Sequence, residues 1–314
     1  MWPGSATARV SSTRKMPITP ALSVVVPTRT GWPGYRPYFD HHRREVESVG
    51  GELLVLDGTN LPPPQADEIG PHTRWISKPG ESVMRLRALG YPEARGAIVA
   101  VSEDHTRVPV GWAASILECH AEHPEASAIG GAVDNGVSRS YMEWADFFCG
   151  HDREVPPVGR ARSVGVIGLT NVSYKRDVLK KIKPLAGVGV NDAVFQRELA
   201  RAGHTLLVDD RIRCEHEQRL SGWAATRLLY HSGRMGAGGR RQRMNPGEIA
   251  RIVATPLSPL LLTVRLGLWL VRRGRYRTRF LVEMPAIAWL YGARATGELV
   301  GYARGPGASA LLLH

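Results

Sequence analysis

Three consecutive residues that can bind a cation or a proton, Glu103, Asp104 and His105, follow an apolar run at residues 97–101. The run predicts a buried strand, so the triplet stands at its carboxyl end, where open α/β sheets bind ligands. Carboxylate and imidazole groups there suit a divalent cation, and a divalent cation suits a diphosphate. The alternative is a polar loop that only closes a strand.

Two other predicted strands end in residues that suit a nucleotide. The first ends at Pro27, Thr28 and Arg29, and the second ends at Asp57. Because the carboxyl ends of parallel strands meet at one edge of a sheet, a nucleotide bound there places its base near Pro27, Thr28 and Asp57 and its diphosphate near the triplet. Asp57 by itself is equally explained as a turn residue.

The elements that position these residues alternate between strands and helices over the first 125 residues. Crossovers of that length imply an α/β fold, with a mostly parallel sheet and helices on both faces. Strands are predicted at residues 22–27, 52–58, 74–76, 97–101, 129–133 and 205–208. Helices are predicted at residues 38–49, 82–89, 111–123, 191–202 and 223–234, with a helix or loop at 141–149 and a Gly/Arg-rich linker at 236–245.

Six short motifs, in order, resemble those of the inverting family-2 glycosyltransferases, which have the GT-A fold. The matching segments are residues 22–28, 57–59, 87–90, 103–105, 168–176 and 191–192. The chain departs from the family pattern at Asp57, where one Asp of an Asp-Asp pair is missing, at His105, where the usual metal ligand is acidic, and at Asn191, which replaces a Glu. The Gln-x-x-Arg-Trp motif of processive synthases is not evident, so the resemblance implies transfer of a single sugar.

The resemblance implies a UDP- or GDP-sugar donor used with Mn²⁺ or Mg²⁺. The residues that it places at the donor nucleotide are Pro27, Thr28, Arg29, Asp57, Arg87, Glu103 and Asp104. The metal ligands are then His105, Asp104 and His216. Imidazole suits Mn²⁺ better than Mg²⁺, which prefers oxygen. The alternatives are that His105 only hydrogen-bonds phosphate and that His216 is an ordinary surface histidine.

On the acceptor side, the resemblance makes Asp192 the general base that takes the proton of the acceptor hydroxyl. Asp192 is alternatively the N-cap of its helix, and one carboxylate can serve both roles. Asn171 lies in the family's acceptor-side loop, and Trp144 is a candidate for stacking on a sugar or lipid. Aromatic residues at helical spacing, however, more often belong to a core.

Charge and hydropathy distinguish the two ends of the chain from its middle. The formal net charge of +12 favours anionic partners, and three cysteines without paired spacing favour reduced thiols in the cytosol. We predict a mobile tail at residues 1–19 without a signal peptide, a GT-A domain at 20–235, and a basic, apolar helical extension at 236–314. Arginines beside apolar runs favour an anionic membrane surface, at its cytoplasmic face.

Other interpretations remain open for the structure of the extension and for the function of the whole chain. A membrane-spanning hairpin, a helical cap on the main domain and a homodimer interface remain open for the extension. A lipid-linked or membrane-borne acceptor follows from the membrane reading, as does a role in cell-envelope polysaccharide synthesis. The rival functions are a sugar nucleotidyltransferase and a degenerate, non-catalytic scaffold at the membrane. Nucleic-acid binding fits the charge, but no motif for it is recognisable.

Overall fold

The computed structural model describes residues 19–137, 140–182, 192–241 and 244–312. Two sequence predictions lie outside this range. They are the N-terminal tail, apart from its residue 19, and Asn191.

Nine strands of the described residues form a single sheet. Their bounds are β1 Leu22–Thr28, β2 Glu52–Asp57, β3 Thr73–Ser77, β4 Ile98–Val101, β5 Thr106–Arg107, β6 Ala126–Asn135, β7 Arg162–Ser163, β8 Val172–Lys175 and β9 Thr205–His216. The order is β3-β2-β1-β4-β8-β6-β9-β5, with β7 paired to β9.

Strand directions follow from the pairing. β1, β2, β3 and β4 run parallel to one another. β8 is antiparallel to both β4 and β6, so β6 and its parallel partner β9 point the same way as β4. β5 and β7 are antiparallel to β9. Six of these nine strands share one direction, which confirms the mostly parallel sheet.

Helices cover both faces of the sheet. Their bounds are α1 Gly31–Ser48, α2 Ala66–Ile69, α3 Val83–Gly90, α4 Trp112–Glu122, α5 Tyr141–His151, α6 Arg176–Leu179, α7 Asp192–Arg201, α8 Gly222–Arg240, α9 Pro246–Ala254, α10 Ser258–Arg273 and α11 Arg277–Arg304. Short 3₁₀ turns come after α3, α9 and α11, at Tyr91–Glu93, Thr255–Leu257 and Gly307–Leu312.

The central strand β1 is buried along its whole length. Val24 and Val26 pack into one core with α1, α4, α5 and α11, whereas Val25 packs into a second core with Leu86 of α3 and Leu199 of α7. A strand covered on both faces needs no polar alternation, which explains its mostly apolar sequence, in which the buried Ser23 donates to Glu52.

Strand β9 is longer than its sequence predicts. It was expected to end at residue 208, yet it continues to His216, which pairs with Asn135 of β6 beyond an irregularity at Gly131 and Ala132. The middle of β9 is polar, and its buried Asp209 accepts hydrogen bonds from Arg211. The additional residues of β9 are important because they place His216 near the carboxyl end of β4.

The linker predicted at residues 236–245 is wrong in its first half, because α8 continues to Arg240. Glycines in this region serve a close helix–helix contact. A Cβ on Gly233 or Gly238 of α8 would collide with Arg294 or Pro306, and a Cβ on Gly301 of α11 would collide with α8. The Gly-rich composition therefore reflects the packing of α8 against α11.

The C-terminal helices leave a large apolar surface exposed. Among the described residues, one stretch, Pro246–Arg273, is long and apolar enough to cross a membrane, judged by length and composition alone. No residue of α9 is buried, and α10 buries only one side.

Candidate active site

A cavity of about 460 Å³ opens at the carboxyl ends of β1 and β4. The predicted site residues that line it are Pro27, Arg29, Arg87, Glu103, Asp104, His105 and His216. Arg219 and Leu228, from beyond β9, line it as well. The structure therefore brings most of the predicted donor and metal residues into one place.

The turn after β1 is tied to the end of β4 by Asp104. Thr28 Oγ1 accepts the N–H groups of Thr30 and Gly31, each at 3.1 Å, and donates to Asp104 Oδ2 at 2.6 Å. Thr30 Oγ1 donates to the same oxygen at 2.8 Å. Burial alone raises the pKa of Asp104, but hydrogen bonds from His105, Thr28 and Thr30 outweigh it and lower that pKa. Asp104, predicted as a metal ligand, is thus a charged carboxylate in the cavity wall whose two oxygens are engaged by Thr28, Thr30 and His105.

Three side-chain atoms converge in the cavity. Nε2 of His105 lies 2.9 Å from Nε2 of His216, and Oε2 of Glu103 lies 3.1 Å from the latter and 3.5 Å from the former. Ligands held about 2.1 Å from one metal ion stand roughly 3.0 to 3.4 Å apart. The spacing of Glu103, His105 and His216 therefore fits a single divalent cation.

The protonation states also fit a cation. His105 Nδ1 is 2.8 Å from Asp104 Oδ1. Burial opposes charge on His105, but Asp104 and Glu103 outweigh it and raise its pKa, so a cation has to displace a proton to bind Nε2. Burial, together with the neighbouring His151, lowers the pKa of His216 to about 3, which keeps it neutral. Burial opposes charge on Glu103, but His216, His105 and Arg87 hold its pKa well below the usual range. Once His105 has lost its proton, two imidazoles and a carboxylate offer three metal donors.

His151, which the sequence analysis missed, lines the same cavity. Its ring lies 4.4 Å from that of His216, and its Nδ1 is 2.8 Å from Glu154 Oε2. His151 is the last residue of α5, behind an aromatic segment whose pattern drew attention to Trp144 instead. Only the tertiary contact with His216 reveals it.

Arg87 connects the cation cluster to Asp192. Its Nη2 donates to Glu103 Oε1 at 3.2 Å, and its Nη1 lies 3.6 Å from Asp192 Oδ2. Tyr91 donates to Asp192 Oδ1 at 2.7 Å, while Oδ2 is buried without a hydrogen-bond partner among the described residues. Burial raises the pKa of Asp192, although Arg87 and Tyr91 oppose this. The first residue of α7 is thus a buried carboxylate behind Arg87.

Asp57 lies at the same edge of the sheet, paired in register with Thr28, but does not line the cavity. Its Oδ1 accepts the N–H of Thr59 at 2.8 Å and its Oδ2 accepts from Trp75 at 3.3 Å. In this arrangement the carboxylate shapes the turn after β2, as the turn interpretation of Asp57 requires.

Asn171 does not reach the cavity. Its amide donates to the carbonyl oxygens of Ala132 and Ile212, and its Oδ1 accepts from Trp112. These bonds fasten β6, β9 and α4 together. Thr170, next to it, lines the cavity and donates to Glu103.

Trp144 is placed in the core and not in the cavity. Its ring packs against Phe148 and Tyr276, and Arg279 lies 5.2 Å from the ring centroid. With 8% of its surface exposed, it has no free face for a sugar. The aromatic spacing of α5 is therefore that of a core helix.

The fold is shared with known glycosyltransferases. The chain is similar in structure to the mannosyltransferase PcManGT from Pyrobaculum calidifontis, solved in complex with GDP-Man and Mn²⁺, with a TM-score of 0.52 and 15% sequence identity over 89% of this chain and 87% of that one. The GT-A fold predicted from the sequence is thereby confirmed.

A second solved structure, TarS of S. aureus, aligns with a TM-score of 0.47 and 12% identity over 76% of this chain and 42% of that one. No family model matches the chain, and no curated protein matches it.

Proposed function

We propose that this protein transfers one sugar from a UDP- or GDP-sugar to an acceptor hydroxyl with inversion, as family-2 enzymes do. The observation that carries the proposal is the convergence of Glu103, His105 and His216 in a cavity at the strand ends of a GT-A fold. The GDP-Man and Mn²⁺ bound by the structurally similar PcManGT support it.

The chemistry divides between the residues of the cavity and Asp192, which lies behind Arg87 and does not line the cavity. A cation held by Glu103, His105 and His216 would neutralise charge on the leaving diphosphate. Arg87 and Arg29 line the cavity and offer further positive charge to that group. Asp192 takes the acceptor proton as the hydroxyl oxygen attacks C1 from the face opposite the diphosphate, and the bond from C1 to the diphosphate oxygen breaks. The departing electron pair stays with the nucleoside diphosphate. Because C1 is attacked once, from the opposite face, each transfer inverts its configuration once.

Turnover of a panel of UDP- and GDP-sugars tests this function. We expect release of nucleoside diphosphate from at least one donor, its loss with EDTA, and its recovery with Mn²⁺ more than with Mg²⁺, because two of three ligands are nitrogens. Pyrophosphate release from a sugar phosphate and a nucleoside triphosphate would instead identify a nucleotidyltransferase. Nucleotide binding without any turnover would identify a non-catalytic scaffold.

We further propose that the extension docks on the cytoplasmic leaflet of the membrane, where a lipid-linked or membrane-borne acceptor is reached. Exposed apolar side chains recur every three or four residues along α9 and α10, on one helical face: Ile249, Val253, Leu257, Leu260, Val264, Leu268 and Val271. The exposed Arg251, Arg272 and Arg277 lie beside them. An apolar stripe bordered by arginines matches the headgroup boundary of anionic lipid.

Vesicle flotation tests the docking. Changing Leu260 and Val264 together to Glu should lower partition onto anionic vesicles by at least about 10²-fold, because apolar burial is lost and carboxylates resist burial. The control is Val110→Glu, at a 98% exposed position outside the extension, which should bind as the parent does. Vesicle-independent dimers that dissociate in the double variant would assign the stripe to a homodimer.

A further inference from the structure

A second cavity, of about 570 Å³, lies between α7, α10 and the segments at residues 152–158 and 164–168. Its walls are unusually basic for a cavity. The arginines that line it are Arg153, Arg162, Arg197, Arg265 and Arg272.

The carboxylates in these walls are already engaged. Asp152 pairs with Arg265 at 2.5 Å, and Glu154 accepts from His151 at 2.8 Å. Within the described residues, the other four arginines have no carboxylate within 4.0 Å. The sequence offers none elsewhere, since residues 1–18, 138–139, 183–191, 242–243 and 313–314 contain no Asp or Glu. The five arginines are solvent-exposed and outnumber the two carboxylates, so the walls carry a net positive charge.

Two arginines in or beside the cavity have lowered pKa values. Burial and the neighbouring Arg240 and Arg153 lower the pKa of Arg197. Burial and Arg162 lower the pKa of Arg273, beside the cavity, to about 10, although Asp210, Asp152 and Glu154 oppose this. Arg273 stacks 3.9 Å above the Trp269 ring, and its Nη1 is buried without a hydrogen-bond partner among the described residues. An anion in the cavity relieves the repulsion and supplies acceptors.

The second cavity shares a wall with the candidate active site. His151 lines the first cavity, and its partner Glu154 lines the second. The loop before β8 does the same, with Gly168 in the second cavity and Thr170 in the first. α7 lies near both, because its first residue, Asp192, lies behind Arg87 of the first cavity and its Arg197 lines the second.

The mouth of the cavity adjoins the apolar stripe. Leu268 of α10 lines the cavity, yet it is 54% exposed and belongs to the stripe. Trp269, its neighbour, lines the cavity as well. A ligand with an anionic head in the cavity can thus lay an apolar tail along α10.

We propose that this cavity binds the phosphate or diphosphate group of a lipid-linked acceptor, whose hydroxyl receives the sugar in the first cavity. The inference rests on the proposed sugar transfer and specifies its acceptor class. Planar guanidinium groups bind phosphate oxygens in pairs, which suits a cavity with several arginines.

Calorimetric titration of the EDTA-treated protein without a donor tests the proposal, and its result does not depend on sugar transfer. The probes are inorganic phosphate and submicellar dodecyl phosphate. We expect dodecyl phosphate to bind at least about 10-fold more tightly, because the tail buries apolar area. Equal affinities would retain the phosphate site and assign it to a soluble acceptor. Absence of binding by either probe would overturn the proposal.

Variants locate the ligand. Changing Arg197 and Arg272 together to Gln should weaken binding by roughly 100-fold, about 10-fold for each charged hydrogen-bond donor. Arg201→Gln, on the exposed end of the same helix, should bind within about 2-fold of the parent. We expect the ligand to change the fluorescence of Trp269 in the parent. Trp269→Phe keeps every charge and should abolish that change. A double variant that binds as tightly as the parent, or an unchanged fluorescence response, would place the ligand elsewhere.

Discussion

Replacing His216 by alanine is expected to lower the rate of sugar transfer by roughly 10²- to 10³-fold. The reason is that a cation at a developing diphosphate contributes several kcal/mol to the transition state, at about 1.4 kcal/mol per tenfold in rate. His216 would supply one of the three ligand atoms, since its Nε2 lies 2.9 Å from that of His105 and 3.1 Å from Glu103 Oε2. Initial rates over a Mn²⁺ titration measure the effect, and the Mn²⁺ concentration for half-activation should rise.

Two companion variants separate metal binding from general damage. His123→Ala removes a histidine that does not line the cavity and should leave the rate unchanged. His105→Asp restores an oxygen ligand at the triplet's third position, so it should shift the preference from Mn²⁺ toward Mg²⁺. Unaltered metal dependence in both His216→Ala and His105→Asp would rule out the assigned cluster.

Replacing Asp192 by asparagine is expected to lower the rate by about 10²- to 10⁴-fold, the usual contribution of a general base. Asparagine keeps the shape and still accepts from Tyr91, but it cannot take the acceptor proton. Because burial raises the pKa of Asp192, the parent should lose activity on acidification at a higher pH than an ordinary aspartate would dictate. Rate–pH profiles of parent and variant measure this, and the acidic limb should vanish in the variant.

The base role of Asp192 has to be distinguished from mere positioning of Arg87, which lies 3.6 Å away. A base acts on kcat and leaves the donor KM nearly unchanged. If Asp192 only holds Arg87 at the donor, the variant will raise the donor KM and keep its acidic limb. Tyr91→Phe is the matched control, since it removes one hydrogen bond to the same carboxylate and should cost less than Asp192→Asn.

The sheet and two of the clustered residues, Glu103 and His105, were accessible from the sequence for a common reason, although Glu103 was assigned to the nucleotide and Asp104 to the metal. Strands covered on both faces consist of mostly apolar runs, and β1, β2 and β4 are buried throughout. Polar residues directly after such runs stand out, as Glu103 and His105 do. The parallel direction of these strands then brings their ends to one edge without further information.

What the sequence could not reveal depends on contacts between distant segments. The second half of β9 carries polar residues, so no apolar run marks the strand that delivers His216. His151 joins the cavity only through the packing of α5. Glycines at α8 suggested a linker, whereas a neighbouring helix explains them. Asn171 was predicted as a loop residue of the site, but buried carbonyl oxygens engage its amide.

The central claim is that one divalent cation binds between Glu103, His105 and His216 and meets the donor diphosphate. Anomalous diffraction at the manganese edge, from crystals grown with MnCl₂ and a nucleoside diphosphate, tests it directly. The account predicts one strong peak about 2.0 to 2.4 Å from the two Nε2 atoms and a Glu103 oxygen, with a phosphate oxygen completing the shell. A bound nucleotide whose diphosphate has no manganese near these three residues would contradict it.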